Sequence, residues 1–223
     1  MPVTIHIPPR SDLKAEEIDP WRAVPVAVAV DLVREQGQID PDIRPLNPPG
    51  RQPRLFGRAV TALCEPPDFG AVLHALDQIR QGDVLMIAAN GHRQTAMIGE
   101  ILGGHLRRSG GAGLVCDGAI RDVAALSEWS DFSVFARFTT PRGPASFAAG
   151  SVNLPVMIGG RQVTPGDLII GDDDGLVVLP PDLVRKHLSS ARAKIEVEAV
   201  WVKSLANGRT VAQTFALSSA RKA

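Results

Sequence analysis

Residues 99–122 read GEILGGHLRRSGGAGLVCDGAIRD. A glycine opens a helix over residues 99–108, and the glycines at 110–113 end it. Leu114-Val115-Cys116 is an apolar strand. Asp117-Gly118 reads as a turn, and Asp122 as the start of a short helix running to Trp129. Upstream, Asp68 can cap a helix to Arg80 with Val72, Leu73, Leu76 and Ile79 on one face. Gln81-Gly82-Asp83 then turns the chain into a short buried strand, Val84 to Ile87. Helix and strand alternate through this middle region, the pattern of a mixed α/β domain.

Outward from this region, residues 56–64 form a strand, and residues 23–35 a helix stopped by Gly37. Residues 41–53 hold five prolines and a glycine and form an extended loop. Downstream, residues 132–138 are a strand and 141–150 a Pro/Gly loop. After Gly150 hairpins take over. One carries Gly159-Gly160, and the other turns at Asp172-Asp173-Asp174-Gly175 between Leu168-Ile169-Ile170 and Leu176-Val177-Val178-Leu179. Pro180-Pro181 precedes a long helix over residues 182–206, stopped by Asn207-Gly208. The chain divides into a polar arm (1–20), one domain (21–210) and a tail (211–223).

Composition narrows the function. The 223 residues carry 24 basic and 24 acidic side chains, a formal charge of zero. A neutral chain has no long-range pull on a phosphate backbone, so no nucleic-acid partner is expected. No apolar run reaches membrane-spanning length, so no membrane association is expected. Two cysteines, Cys64 and Cys116, are too few for a disulfide framework. A cytoplasmic location is the expectation. There is no tyrosine, and no lysine falls between Lys14 and Lys186. A lysine Schiff base is therefore missing from the middle of the chain.

Several motifs have plain structural readings. The three aspartates at 172–174 end in Asp-Gly between apolar runs, which is a hairpin turn before it is a cation loop. The glycines at 110–113 leave a helix, whereas a nucleotide or methyl-donor loop leaves a strand. No histidine pair has zinc-ligand spacing. The productive pairing is the helix start Gly99-Glu100-Ile101-Leu102 with Arg121-Asp122. Free N–H groups at a helix start suit a carboxylate. Arg121 offers a planar fork of donors, and Asp122 is a hard oxygen ligand. On composition alone Asp122 also reads as a helix cap and Arg121 as an ion-pair partner.

The motifs in order are residues 99–102, 113–122, 150–156, Gly159-Gly160, Pro165-Gly166-Asp167 and 171–175. Together they resemble the class II pyruvate aldolase family of 4-hydroxy-4-methyl-2-oxoglutarate aldolases, which includes RraA-type regulators of ribonuclease E. The resemblance covers roughly residues 20–210. It implies a compact swivelling β/β/α domain with a long C-terminal helix, assembled as a homotrimer or homohexamer. It implies a lyase that releases pyruvate from 4-hydroxy-2-oxo dicarboxylates, with oxaloacetate decarboxylation as a side activity. By the same resemblance, Gly99, Glu100, Ile101 and Leu102 bind the pyruvyl carboxylate. Arg121 contacts the keto or enolate oxygen, and Asp122 binds Mg²⁺ or Mn²⁺. Glu198 comes from a neighbouring subunit's C-terminal helix. The sequence departs from the pattern in one place. Active members usually carry an acid three positions after the metal-binding Asp, where this chain has Ala125; Glu128 lies one turn further on. The alternative implied by the resemblance is a non-catalytic regulator that binds an RNase.

Overall fold

The computed structural model describes residues 2–8 and 13–218. Strand β1 (Thr4–Ile5) comes first, then helices α1 (Ala15–Ile18) and α2 (Val26–Val33), strands β2 (Arg44–Pro45) and β3 (Leu55–Leu63), and helix α3 (Gly70–Leu76). The central segment holds β4 (Asp83–Ile98), α4 (Glu100–Arg108), β5 (Gly113–Ile120), α5 (Val123–Ser127) and β6 (Ser133–Thr139). Then follow β7 (Ser151–Val152), the β8–β9 hairpin (Val156–Ile158, Arg161–Val163), and the β10–β11 hairpin (Leu168–Asp172, Gly175–Leu179). Helices α6 (Pro181–Ala206) and α7 (Val211–Thr214) close the chain.

Strands β3, β4, β5 and β6 run parallel in that order. Strands β10 and β7 pair antiparallel to β3, and β1 extends that side through β7. Alternation along β4 sorts the core. Leu85 and Ile87 join Val72, Ala75 and Leu106 of α3 and α4 on one face. Val84, Met86 and Ala88 face Val156, Ile158 and Val163 of the β8–β9 hairpin on the other. The result is a hairpin layer, a sheet and a helix layer, the β/β/α order expected. A third cluster packs Val26, Val28 and Ala29 of α2, with Val184 and Ala191 of α6, on Leu168, Ile170 and Val177.

The structure corrects several expectations. Asp117-Gly118 is not a turn; it lies inside β5, whose residues are all buried. Burial of the Asp117 carboxylate is sustained by Arg137 Nε at 2.7 Å and the Gly159 N–H at 2.8 Å. Strand β4 has 16 residues, not four, because Asn90 and Gly91 take positive φ and let the strand bulge and resume. The helix expected over 68–80 contracts to α3, and that over 23–35 to α2, which follows Pro25. The segment read as an arm contributes Leu13 and Ile18 to the third cluster, and its residues 9–12 lie outside those described. Trp21, fully buried, donates its indole N–H to the Val184 carbonyl at 3.3 Å. In the tail, α7 folds back so that Phe215 sits 4.9 Å from the Trp201 ring; residues 219–223 lie outside those described.

Trp21 locks the N-terminal segment to α6. Trp21→Ala is expected to destabilise the domain by about 3–5 kcal/mol, read as a lower urea midpoint. A loss below about 1 kcal/mol would show that the segment folds independently of the core.

Candidate functional site

The parallel strands β4 and β5 end side by side, with Ile98 paired to Ile120. Helix α4 starts directly after the first, and Arg121-Asp122 directly follow the second. Asp122 sits in the left-handed region at φ 59°, ψ 36°. Aspartate tolerates that region better than most residues, and such conformations concentrate at functional sites. The turn aims the Asp122 side chain away from its own helix. No side-chain bond caps α5. Instead Oδ2 accepts the Glu100 N–H at 3.1 Å, so the carboxylate sits at the start of α4. The cap reading of Asp122 is thereby replaced. Arg121 Nε lies 3.5 Å from the same oxygen, and both side chains are 40% exposed.

Gly99 is extended, so its backbone does not require glycine. Space does. A Cβ there would lie 2.4 Å from Asp122 Oδ2 and 2.8 Å from Arg121 Cγ. Of the four residues expected to bind a carboxylate, Glu100 has its N–H engaged by Asp122, and its side chain is exposed. Ile101 and Leu102 are the next two positions of α4, where helix N–H groups lack an intrahelical partner. A cleft of about 190 Å³ opens here. Phe69, Leu73, Met97, Leu102 and Pro144 form its apolar wall, and among the described residues Arg121 and Asp122 are its ionisable lining. A larger cavity of about 670 Å³ lies beside Arg58, Arg80 and Asp83. There Arg58 donates to the Leu13 carbonyl at 2.6 Å, and Asp83 accepts the Arg80 N–H at 2.8 Å. The smaller cleft, where the strand ends meet the start of α4, is the candidate site.

The residues of the 141–150 loop were not singled out in the sequence, yet they shape the cleft. Pro144 lines it, and a Cβ on Gly143 would lie 2.7 Å from Arg121 Nη1. Arg142 accepts the Ala96 N–H at 2.8 Å through its carbonyl. Asp68 holds the far end of the loop. Burial pushes its carboxyl up, but donors from Ser146, Ala148, Gly70 and Ala149 outweigh that and hold it down at about 2.

Among the described residues Asp122 is the one carboxylate lining the cleft. Among the described residues no group of three or more His, Cys, Asp or Glu gathers to hold an ion. The Asp122 Oδ2 is shared by the Glu100 N–H and Arg121, leaving Oδ1 for a further ligand. A single carboxylate with water at the remaining positions is a donor set that fits Mg²⁺, which dehydrates reluctantly. Ala125 adds no oxygen. Glu128, at the end of α5, is exposed, and no contact ties it to Asp122. Glu198 pairs with Lys194 at 3.1 Å, and Lys194 also reaches Asp31 at 2.9 Å. The structure therefore joins Gly99–Leu102 with Arg121 and Asp122, and leaves Glu198 on α6 beside α2.

Two outcomes test this geometry. Gly99→Ala is expected to break the Asp122–Glu100 bond and to speed amide exchange at Glu100 about tenfold or more, the loss of a charge-assisted bond. Unchanged protection would place the carboxylate elsewhere. Asp68 has a depressed pKa, so it stabilises above the unfolded carboxyl value and loses that contribution as pH falls towards about 2. The melting-temperature gap between the native chain and Asp68→Asn is expected to be wide at neutral pH and to close in that acid range. A gap independent of pH would contradict the assignment.

The sequence and the fold are similar to those of known proteins. The family model described as Aldolase/RraA, RraA-like, matches residues 26–178. A Halalkalibacterium halodurans protein named "Putative 4-hydroxy-4-methyl-2-oxoglutarate aldolase" is 34% identical over 184 residues, 82% of this chain and 86% of that protein. An uncharacterized protein from Pseudomonas syringae pv. tomato shares the fold with a TM-score of 0.80 at 24% identity, covering 92% of this chain and 100% of that one. The RNA-processing inhibitor RraA from Thermus thermophilis gives a TM-score of 0.62 at 30% identity, covering 70% and 92% of the two chains. With its sequence matched over most of the domain and its β/β/α layers shared, this chain belongs to the RraA-like aldolase family.

Proposed function

We propose that the protein is a divalent-metal-dependent lyase that releases pyruvate from 4-hydroxy-4-methyl-2-oxoglutarate or related 4-hydroxy-2-oxo dicarboxylates. The observation that carries this reading is the meeting of Arg121, Asp122 and the start of α4 in one cleft. Retro-aldol cleavage breaks the bond between the third and fourth carbons. The 4-hydroxyl gives up its proton, and the electron pair becomes the enolate of pyruvate. That charge needs a stabilising partner that is already in place. Arg121 directs a fixed fork of donors at the developing oxyanion. The α4 N-terminus attracts the substrate carboxylate through its N–H groups and dipole. The apolar wall lowers the local dielectric and strengthens both contacts. Asp122 is the residue that would hold Mg²⁺ or Mn²⁺. When bound, the ion supplies a second positive charge for the 2-oxo oxygen. Among the described residues no lysine lines the cleft, which gives iminium chemistry no nucleophile from them. Decarboxylation of oxaloacetate forms the same enolate and is the expected side activity.

The assembly we propose is a homotrimer or homohexamer. Val197, Val200, Val202 and Leu205 of α6, with Val211, Phe215 and Leu217 beyond it, leave an apolar stretch exposed. A patch of this kind favours burial against a second copy. Glu198 lies within that stretch, where a copy of the chain can present it to its neighbour.

Ala125 favours a second reading, a non-catalytic regulator binding an RNase, because it leaves Asp122 without a supporting acid on α5. Pyruvate release separates the two. The lyase reading expects turnover that EDTA abolishes. Arg121→Ala and Asp122→Ala are each expected to lower it on the order of 10²–10³-fold. Ala125→Asp is expected to raise it at limiting metal. Metal-independent turnover would remove the ion from the mechanism. No turnover with any ion, together with retention of an RNase, would favour the regulator.

A further inference from the structure

Asp68 lies at the entry to α3 and is 5% exposed. Phe69 is the N-cap of α3 and no side chain caps it; Asp68, one residue earlier, accepts the Gly70 N–H at 2.8 Å, the bond of a local Asx turn. Its three other bonds go elsewhere. Oδ2 accepts the Ala148 N–H at 2.8 Å and the Ser146 hydroxyl, and Oδ1 accepts the Ala149 N–H at 3.0 Å. Those partners lie 78–81 residues away in sequence. Both neighbours of Asp68 reinforce the junction. The Pro67 carbonyl accepts the Ala145 N–H at 3.1 Å, and the Phe69 N–H donates to the Ser146 carbonyl at 3.1 Å.

The loop so held has little apolar anchorage of its own. Residues 145–148 are exposed, and Phe147 is 66% exposed. Its near end is fixed to the strand ends by the Thr140 N–H on the Ile120 carbonyl at 3.0 Å, and by the Ala96 N–H on the Arg142 carbonyl at 2.8 Å. Between the two anchors lie Gly143, against the Arg121 guanidinium, and Pro144, in the cleft wall. Fixing both ends limits where these two residues can go.

We infer that Asp68 is a positioning residue: its carboxylate clasps the 145–149 segment and so holds Gly143 and Pro144 against Arg121, setting the orientation of the guanidinium. This rests on the lyase reading for the task of Arg121, though the clasp itself does not. A buried carboxylate costs desolvation, and an asparagine or serine would accept the Gly70 N–H without it. The charge is used because four donors converge on two oxygens, a number that only an ionised carboxyl accepts.

Two variants test the inference. Ser146→Ala removes one bond and leaves the Asp68–Gly70 turn bond, and Asp68→Asn removes the acceptor capacity for the loop amides. Both are expected to speed exchange of the Ala148 and Ala149 amides. Both are expected to speed modification of Arg121 by phenylglyoxal, roughly fivefold for Ser146→Ala and more for Asp68→Asn, with Arg22 as the internal control. With a 4-hydroxy-2-oxo acid and Mg²⁺, kcat is expected to fall about tenfold in Asp68→Asn while KM moves less than about threefold, because Arg121 acts on charge that develops in the transition state. Faster loop exchange with Arg121 modification and kcat at native values would overturn the inference, leaving Asp68 a purely structural anchor. If the native chain releases no pyruvate, the lyase reading falls and Arg121 modification alone decides the clasp. If Asp68→Asn does not fold, Ser146→Ala decides it.

Discussion

The Asp122 carboxylate occupies the space that a side chain at residue 99 would fill, and the rest of the cleft is arranged around that substitution of one group for another. At 2.4 Å from Oδ2, a Cβ there would force the carboxylate to move. In exchange, the carboxylate reaches the first N–H of α4, where a negative charge is most favourable. The left-handed backbone of Asp122 is what turns its side chain back across the strand ends. The strain of that conformation is offset by the charge-assisted bond and by the proximity of Arg121.

The parallel sheet makes the arrangement possible. Four parallel strands deliver their carboxyl ends to one edge, and two of them are followed directly by site residues. Ligand crevices at the carboxyl ends of parallel strands follow from the same connectivity in other α/β sheets. Here the opposite face of the sheet is closed by the β8–β9 hairpin, so only the helix side stays open. The cleft then needs a wall on its free side, and the 141–150 loop supplies it.

Charge is placed sparingly in this fold. Arg137 and Asp117 neutralise each other inside the β layer, with Asp40 completing the network at 2.9 Å. Asp172 accepts the Val26 N–H at 2.9 Å, and Asp173 accepts the Gly50 N–H at 3.0 Å. Two of the three hairpin aspartates are therefore fasteners for the N-terminal half, in keeping with their reading as a turn. Arg121 and Asp122, each 40% exposed, differ from these groups in lining a cleft at the start of a helix. Exposure leaves them available to a ligand, and the cavity limits access of water.

By itself the sequence determined the α4 helix start, the strand before Arg121, both late hairpins and the long C-terminal helix. Each rests on local signals: periodicity, caps and turn glycines act within a few residues. It also determined the pairing of residues 99–102 with 121–122 through the family pattern. Tertiary structure alone decided that Asp117-Gly118 continues a strand, because the partner that buries its charge, Arg137, lies on another strand. It alone decided that Asp122 serves α4 rather than α5, since a left-handed φ at an aspartate leaves no periodic trace. It alone brought the 141–150 loop to the cleft, through bonds to Asp68 spanning about 80 residues. Contacts at that separation depend on how layers stack, which composition and spacing along one segment do not encode.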